Sequence, residues 1–463
     1  MRLVVVSNRV SPGSGGIQAG GLTVGLESAL AAHGGIWFGW SGRLVDGEAP
    51  LCRARKSEGI CRITVDLPRA SFNGFYNGFS NQCLWPLFHG RSDLVRYSIS
   101  DYADYRAINS IFAVELARHL RPEDVIWIHD YHLIPLGQAL RELGIGNRIG
   151  FFLHIPFPDA AEFQTLPVHW ALGRALLAYD MIGFQTGMDR ANYLAYEGDE
   201  FPSTRRPENA VGAFPIGIDT RAFEHLASTA SISSEPLKGI FQAVPPEMRT
   251  IIGVDRLDYS KGLPARLKAY ARLLARSPEL VSTTRLVQVA PEGRQDVPAY
   301  RREARQVHHD AAQVNRRFGH PGRPAVHLLS DAVSRHDLAA AYRRSRIGMV
   351  TPIRDGMNLV AKEYVAAQDP EDPGVLILSR TAGAAEELTD ALLVDATDTG
   401  TVVAALQTAL AMPLGERRRR WLAMIDVLRR NEAAAWSRRF IGHLLRVEQH
   451  GLQEARSAMG TAA

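Results

Sequence analysis

The stretch that decides the fold is TPIRDGMNLVAKEYVAAQ, running from Thr351 to Gln368. It leaves the apolar run Ile347-Gly348-Met349-Val350, which reads as a buried parallel strand. A turn at Arg354, Asp355 and Gly356 then leads into a helical pattern starting near Asn358. A strand that empties through a glycine turn into a helix aims unpaired backbone N–H groups and a positive dipole end at one spot. That spot suits a phosphate or diphosphate. Glu363 falls in the first two turns of the helix, within reach of a ribose hydroxyl, and Asp355 stands on the turn, placed to hydrogen-bond a sugar. One segment thus offers contacts for each part of a nucleotide-sugar. For this segment alone, an ordinary strand–turn–helix with a solvated Asp355 stays open.

Outward from this stretch the same alternation repeats. Apolar runs occur at Leu3–Val6, Val125–Ile128, Ile149–Leu153, Met181–Phe184, Ala213–Ile216, Ile251–Val254, Leu286–Ala290, Ala325–Leu329, Ile347–Val350, Val375–Leu378 and Ala391–Val394. Between them, Ala107–Leu120, Ala265–Ala275 and Ala299–Phe318 have the spacing of amphipathic helices. Uniformly apolar strands alternating with helices predict an α/β chain of parallel sheets covered on both faces. About eleven strands are too many for one open sheet, so two doubly wound halves are expected. The Ser- and Pro-rich stretch between Leu226 and Glu247 is the expected boundary. In such folds ligands bind beyond the carboxyl ends of the strands, so the halves are expected to face each other across a ligand cleft.

Composition narrows the class. In 463 residues, 53 basic and 49 acidic side chains leave a net charge of +4, too small a balance to imply a nucleic-acid partner. The run Arg417–Arg420 reads as a solvated helix face. Three cysteines (Cys52, Cys61, Cys83) form no metal-type cluster, no apolar run has the length of a membrane span, and Met1 leads straight into a strand-like RLVVVS. The expectation is a cytoplasmic protein with no membrane association.

Polar residues gather where strands end. Leu3–Val6 is followed by Ser7-Asn8-Arg9 and a glycine-rich loop reaching Gly20 and Gly21; Val125–Ile128 by His129-Asp130-Tyr131-His132; Ile149–Leu153 by His154. Ile251–Val254 is followed by DRLDYSKG, whose Arg256 and Lys261 lie five residues apart on a loop before a helix. Such a cation pair suits a diphosphate leaving group whose charge grows in the transition state. The three histidines lack zinc-binding spacing, so no metal is expected. Asp255 and Asp258 read as turn or N-cap residues, and Trp37, Trp40 and Trp85 as core. The stretch FNGFYNGFSNQCLWPLFHG (Phe72–Gly90), dense in aromatics, Asn and Gly, reads as a sugar-recognising loop.

The segments VVVSNRV, GGLTVGL, WFGWSG, YNGFSN, LWP, IWIHDYHL, IGFFLHIPFP, GFQT, FPIGID, RLDYSKGLP and RDGMNLVAKEYVAAQ occur in that order over nearly the whole chain. In this the chain resembles the trehalose-6-phosphate synthases (glycosyltransferase family 20), retaining enzymes with two Rossmann-like domains in the GT-B arrangement. The resemblance implies residues 1–230 as an acceptor-binding domain joined by a C-terminal helix at about 434–463, and 231–433 as the nucleotide-sugar domain. It implies glucosyl transfer from a nucleotide-glucose, expected to be UDP-glucose, to glucose 6-phosphate, without cofactor or metal, in trehalose biosynthesis. A homo-oligomer is possible in this family, and the residues themselves leave uracil, guanine and adenine open as the donor base.

Carried over by motif, Arg9, Tyr76, Trp85, Asp130 and Arg294 would surround the acceptor, with Arg9, Tyr76 and Arg294 on its phosphate. Gly20, Gly21, Arg256 and Lys261 would hold the donor diphosphate. Gly356, Met357, Asn358 and Leu359 would add donor contacts, Glu363 would bind the ribose, and His154 and Asp355 the donor glucose. His154, Arg256, Lys261 and Asp355 are the expected catalytic set. Alternatives are a cyclitol-coupling pseudo-glycosyltransferase, a nucleotide-sugar epimerase and a non-enzymatic sugar-phosphate sensor; the last would lack the cation pair.

Overall fold

A computed structural model describes residues 2–10, 23, 25–27, 29–30, 34–47, 52–57, 59–203, 206–242, 245, 247–294 and 296–447. Among these, fourteen strands form two sheets. The first joins β1 (Leu3–Arg9), β2 (Gly35–Val45), β3 (Cys52–Ser57), β4 (Ile60–Pro68), β5 (Val125–His129), β6 (Arg148–Phe152), β7 (Met181–Phe184) and β8 (Val211–Ala213) in the order β3-β4-β2-β1-β5-β6-β7-β8. The second joins β9 (Arg249–Val254), β10 (Thr284–Val289), β11 (Val326–Leu329), β12 (Ile347–Val350), β13 (Val375–Ser379) and β14 (Leu392–Val394) in the order β11-β10-β9-β12-β13-β14. All pairings are parallel except β3 with β4. The second order is the doubly wound pattern, in which the strand sequence reverses between β9 and β12; the first sheet reverses between β1 and β5. Each reversal opens a crevice at the strands' carboxyl ends.

Ten of the eleven apolar runs overlap their strands closely, because a parallel strand buried on both faces leaves no room for polar alternation. The run at Ala213–Ile216 is displaced: β8 spans Val211–Ala213. The ladder stops after Phe214 N–H donates to Phe184 O, because the next donor on that side, Ile216 N–H, goes to the Gln185 side chain instead of the β7 backbone. Strands β2 to β4 are not among the apolar runs. β3 is a polar edge strand with an exposed interior, and β2 interleaves Gly and Ser with its aromatics. The Phe72–Gly90 stretch is helical, not a loop: Arg69–Phe72 leads into a π-helix at Asn73–Leu84 and then Trp85–Phe88. Its wider turn packs closely on the helix Ile99–Ala117, where a Cβ on Gly78 would lie 2.4 Å from Asp101 Oδ2.

The chain divides into two compact units, residues 1–216 with 433–463, and residues 217–432. The stretch expected to link the halves lies inside the second unit, because the helix Thr220–Thr229 packs on the helices Arg335–Arg343 and Leu359–Ala367. The helix Ala433–Arg446 belongs to the first unit, where Trp436 and Phe440 lie against Trp127 at ring separations of 4.8 and 4.7 Å.

Two further readings need correction. Asp255 is no cap: it pairs with the buried Arg266 guanidinium at 2.6 Å, and Arg266 also bonds Gln288 Oε1 and Thr351 Oγ1. One side chain thereby ties together the ends of β9, β10 and β12. The basic run Arg417–Arg420 is not a simply solvated face, because Arg417 is buried against Asp372 while Arg418, Arg419 and Arg420 pair with Glu371, Asp390 and Glu416. Removing Arg266 would strand a buried carboxylate. We expect Arg266→Ala to cost on the order of 3–5 kcal/mol in urea unfolding; a loss within the ~0.5 kcal/mol of an exposed substitution would refute the brace.

Candidate active site

In the second unit the turn after β12 is stitched to its neighbours by backbone bonds. Ile353 N–H donates to Ser260 O, Asp355 N–H to Thr381 O, and Gly383 and Ala384 N–H to Asp355 O and Met357 O. These bonds set Asp355 beside the loop after β9. Lys261 Nζ lies 2.5 Å from Asp355 Oδ2, and Asn358 Nδ2 donates to the same oxygen at 3.0 Å. Asn358 caps the helix Leu359–Ala367 from a left-handed backbone (φ 73°), its Oδ1 accepting from Ala361 N–H. The N–H groups of Leu359 and Val360 have no carbonyl to meet within the helix. Lys261, Asp355, Gly356, Met357, Asn358 and Leu359 are therefore brought together at the β9/β12 reversal. Arg256 follows β9 on the same loop and is exposed.

Glu363 lies on this helix with its side chain 16% exposed, and Arg335 Nε is 3.9 Å away. Burial outweighs that distant cation and pushes the Glu363 carboxyl from an ordinary 4.5 up to about 7. A carboxyl raised on folding holds its proton in the folded state after the unfolded chain has lost it. Its contribution to stability is therefore full below about pH 4.5 and is lost as pH rises through about 7. Glu363→Gln cannot ionise. We expect it to gain on the native protein between pH 5 and 8 by on the order of 3 kcal/mol in urea unfolding. Parallel stability profiles would contradict this.

The first unit gathers a second group of side chains at the β1/β5 reversal. Arg9, at the end of β1, is exposed, and its guanidinium lies 5.6 Å from the Trp40 ring. A left-handed Gly42 (φ 89°) makes room for it, since a Cβ there would stand 2.8 Å from Arg9 Nη2. Trp40, expected in the core, is buried and also carries this cation. From the π-helix, Tyr76 stacks on Phe72 at 5.3 Å and on His132 at 5.7 Å. Trp85 stacks on His89 at 4.1 Å and approaches Tyr131 at 5.6 Å. Asp130 has a left-handed backbone (φ 77°), and its Oδ1 accepts from His154 N–H at 3.2 Å. Arg9, Tyr76, Trp85, Asp130 and His154 thus share one end of the first sheet.

Arg294 belongs to the second unit, where its Nη1 donates to Tyr300 Oη at 2.5 Å and lies 3.9 Å from Asp258. Asp258 also takes the Ser260 N–H, the turn role expected of it. Gly20 and Gly21 lie outside the described residues. His129 and His154 are in direct contact (3.0 Å), and Gln185, a residue of the GFQT segment with no role expected from the sequence, contacts His154. Its signal was a polar side chain directly after the apolar β7. Among the described residues no group of three or more His, Cys, Asp or Glu could hold a metal ion, and no helix is long and apolar enough to cross a membrane.

Two doubly wound units, one with a cation–carboxylate pair at a helix start and the other with an arginine and aromatics at a strand end, define a nucleotide-sugar transferase of the GT-B class. The family model for glycosyltransferase family 20 matches residues 13–446. A trehalose-6-phosphate synthase of Klebsiella pneumoniae is 43% identical over 453 residues, covering 96% of this chain and 95% of that protein. A solved UDP-forming alpha,alpha-trehalose-phosphate synthase of Burkholderia xenovorans, in complex with glucose-6-phosphate, superposes with a TM-score of 0.91 at 41% identity, covering 96% of this chain and 100% of the other. A structure from E. coli bound with UDP-2-fluoro glucose gives 0.91 at 41% identity, over 97% and 100%. The chain belongs to glycosyltransferase family 20.

Proposed function

We propose that the chain transfers glucose from UDP-glucose to glucose 6-phosphate with retention, giving α,α-trehalose 6-phosphate and UDP. The observation that carries this reading is the nearly end-to-end match to family members bound to glucose-6-phosphate and to a UDP-glucose analogue. Arg9 and Tyr76 take the acceptor phosphate, to which the family motif also assigns Arg294, while Trp85 and Asp130 line the sugar. Arg256 and Lys261 receive the donor diphosphate with Gly20 and Gly21; Gly356, Met357, Asn358 and Leu359 add contacts, and Glu363 binds the ribose. Asp355 and His154 face the donor glucose.

A double displacement would need a free carboxylate at the anomeric carbon. Asp355 accepts from Asn358 and is assigned to the donor glucose hydroxyls, which supports departure and attack on one face through an oxocarbenium-like state. The C–O bond to the diphosphate breaks, Arg256 and Lys261 stabilise the released charge, and a phosphate oxygen takes the proton of the attacking anomeric hydroxyl.

A donor panel of UDP-, GDP- and ADP-glucose with glucose 6-phosphate tests this. The expected result is diphosphate release coupled to a disaccharide monophosphate, fastest with UDP-glucose. No such product from any donor would overturn the reading; faster transfer from GDP- or ADP-glucose would overturn the choice of base.

A further inference from the structure

Four groups at the carboxyl edge of the first sheet form one hydrogen-bonded file. Ile216 backbone N–H donates to Gln185 Oε1 at 3.0 Å. A backbone amide can only donate, so the oxygen must face it and the Gln185 NH₂ must face the other way. The two-fold ambiguity of a carboxamide is thereby removed. That Nε2 lies 3.1 Å from His154 Nδ1, which must accept and so carries no proton. Burial pushes the His154 imidazole down to about 3, so the ring is neutral near pH 7 and its one proton sits on Nε2. Nε2 is 3.0 Å from His129 Nδ1, which accepts in turn. The His129 proton is then on Nε2, an atom with no hydrogen-bond partner among the described residues.

We propose that Gln185 is a positioning residue of this site: held by the Ile216 N–H, it locks His154 as the neutral Nε2–H tautomer and withdraws its only lone pair from the reaction. Two consequences follow. His154 cannot be the base for the acceptor hydroxyl, since Nδ1 is filled by Gln185; the proton is left to the departing phosphate. Toward the donor sugar His154 can only donate, so the oxygen it meets must accept, sharing the Nε2–H with His129 Nδ1. Gln185 is 2% exposed, and two directional bonds at opposite ends of its amide fix both its place and its sense. The inference rests on the reading above that His154 faces the donor glucose.

The test is the tautomer, read by nitrogen NMR of the full chain labelled in its histidines, with His154 identified by the signals lost in His154→Asn. The native protein is expected to show Nδ1 unprotonated and Nε2 protonated, unchanged between pH 6 and 8. In Gln185→Glu, read at a pH where that carboxyl is ionised, one carboxylate oxygen keeps the Ile216 N–H, but the other can only accept. Nδ1 must then gain a proton, and turnover should fall about 10- to 100-fold with little change in the KM for glucose 6-phosphate. Gln185→Met, which fills the space without either bond, should lose the single-tautomer signature. A native Nδ1–H tautomer or an imidazolium overturns the proposal, as does an unchanged His154 in Gln185→Glu. The tautomer is read without turnover: the expected spectra from a protein that transfers no glucose would count against the proposed reaction alone.

Discussion

Lys261→Ala is expected to lower turnover by about two to three orders of magnitude, the effect of losing one preorganised donor aimed at developing charge. Its ammonium is buried at the end of β9 and touches Asp355, so it is already placed and partly dehydrated before a diphosphate arrives. Arg256, five residues earlier on the same loop, is expected to show a loss of the same order as alanine, because bond breaking delivers charge to both. Since this additional charge is absent from the bound donor and develops on the way to the transition state, kcat should fall more than the donor KM rises. Steady-state kinetics on variants with native unfolding curves decides the matter. Near-native turnover in both would remove the diphosphate from this loop.

Arg9→Ala should raise the KM for glucose 6-phosphate by about 100-fold while leaving that for the donor within a few-fold, and native protein should use unphosphorylated glucose at least about 100-fold less well in kcat/KM. Charge-assisted bonds of about 1.5–3 kcal/mol each set this scale. A fully buried cation would discriminate more sharply, but Arg9 is exposed, so water partly satisfies it when the phosphate is missing. The guanidinium is nevertheless held ready by the Trp40 face and the space left at Gly42. Equal use of glucose and glucose 6-phosphate would show that no phosphate grip exists there.

The parallel strands were legible because burial on both faces removes polar residues, and the turn after Val350 was legible because Asp355 and Asn358 each have a local task, Asp355 through its backbone bonds and Asn358 as the helix cap. The β2–β4 region was not, since β3 is exposed and takes its register from β4 alone. The π-helix was opaque for a different reason. Phe72, Phe75, Tyr76 and Phe79 do fall at helical spacing, but the Asn and Gly between them favour turns, and packing on the helix Ile99–Ala117 outweighs that preference. Asp255 looked like a cap because its partner, Arg266, lies eleven residues away and inside the fold. Gln185 offers only a weak local signal, a polar side chain just after β7; its position between Ile216 and His154 is what gives it a role.

The most direct test of the account is the stereochemistry of the product. Carbon-13-labelled UDP-glucose and glucose 6-phosphate, incubated with the chain and followed by NMR, should yield a 1,1-linked disaccharide phosphate whose two anomeric protons both show the small α coupling, with UDP formed in equal amount. A β-configured anomeric centre from the donor, or free glucose without disaccharide, would contradict same-face transfer to glucose 6-phosphate.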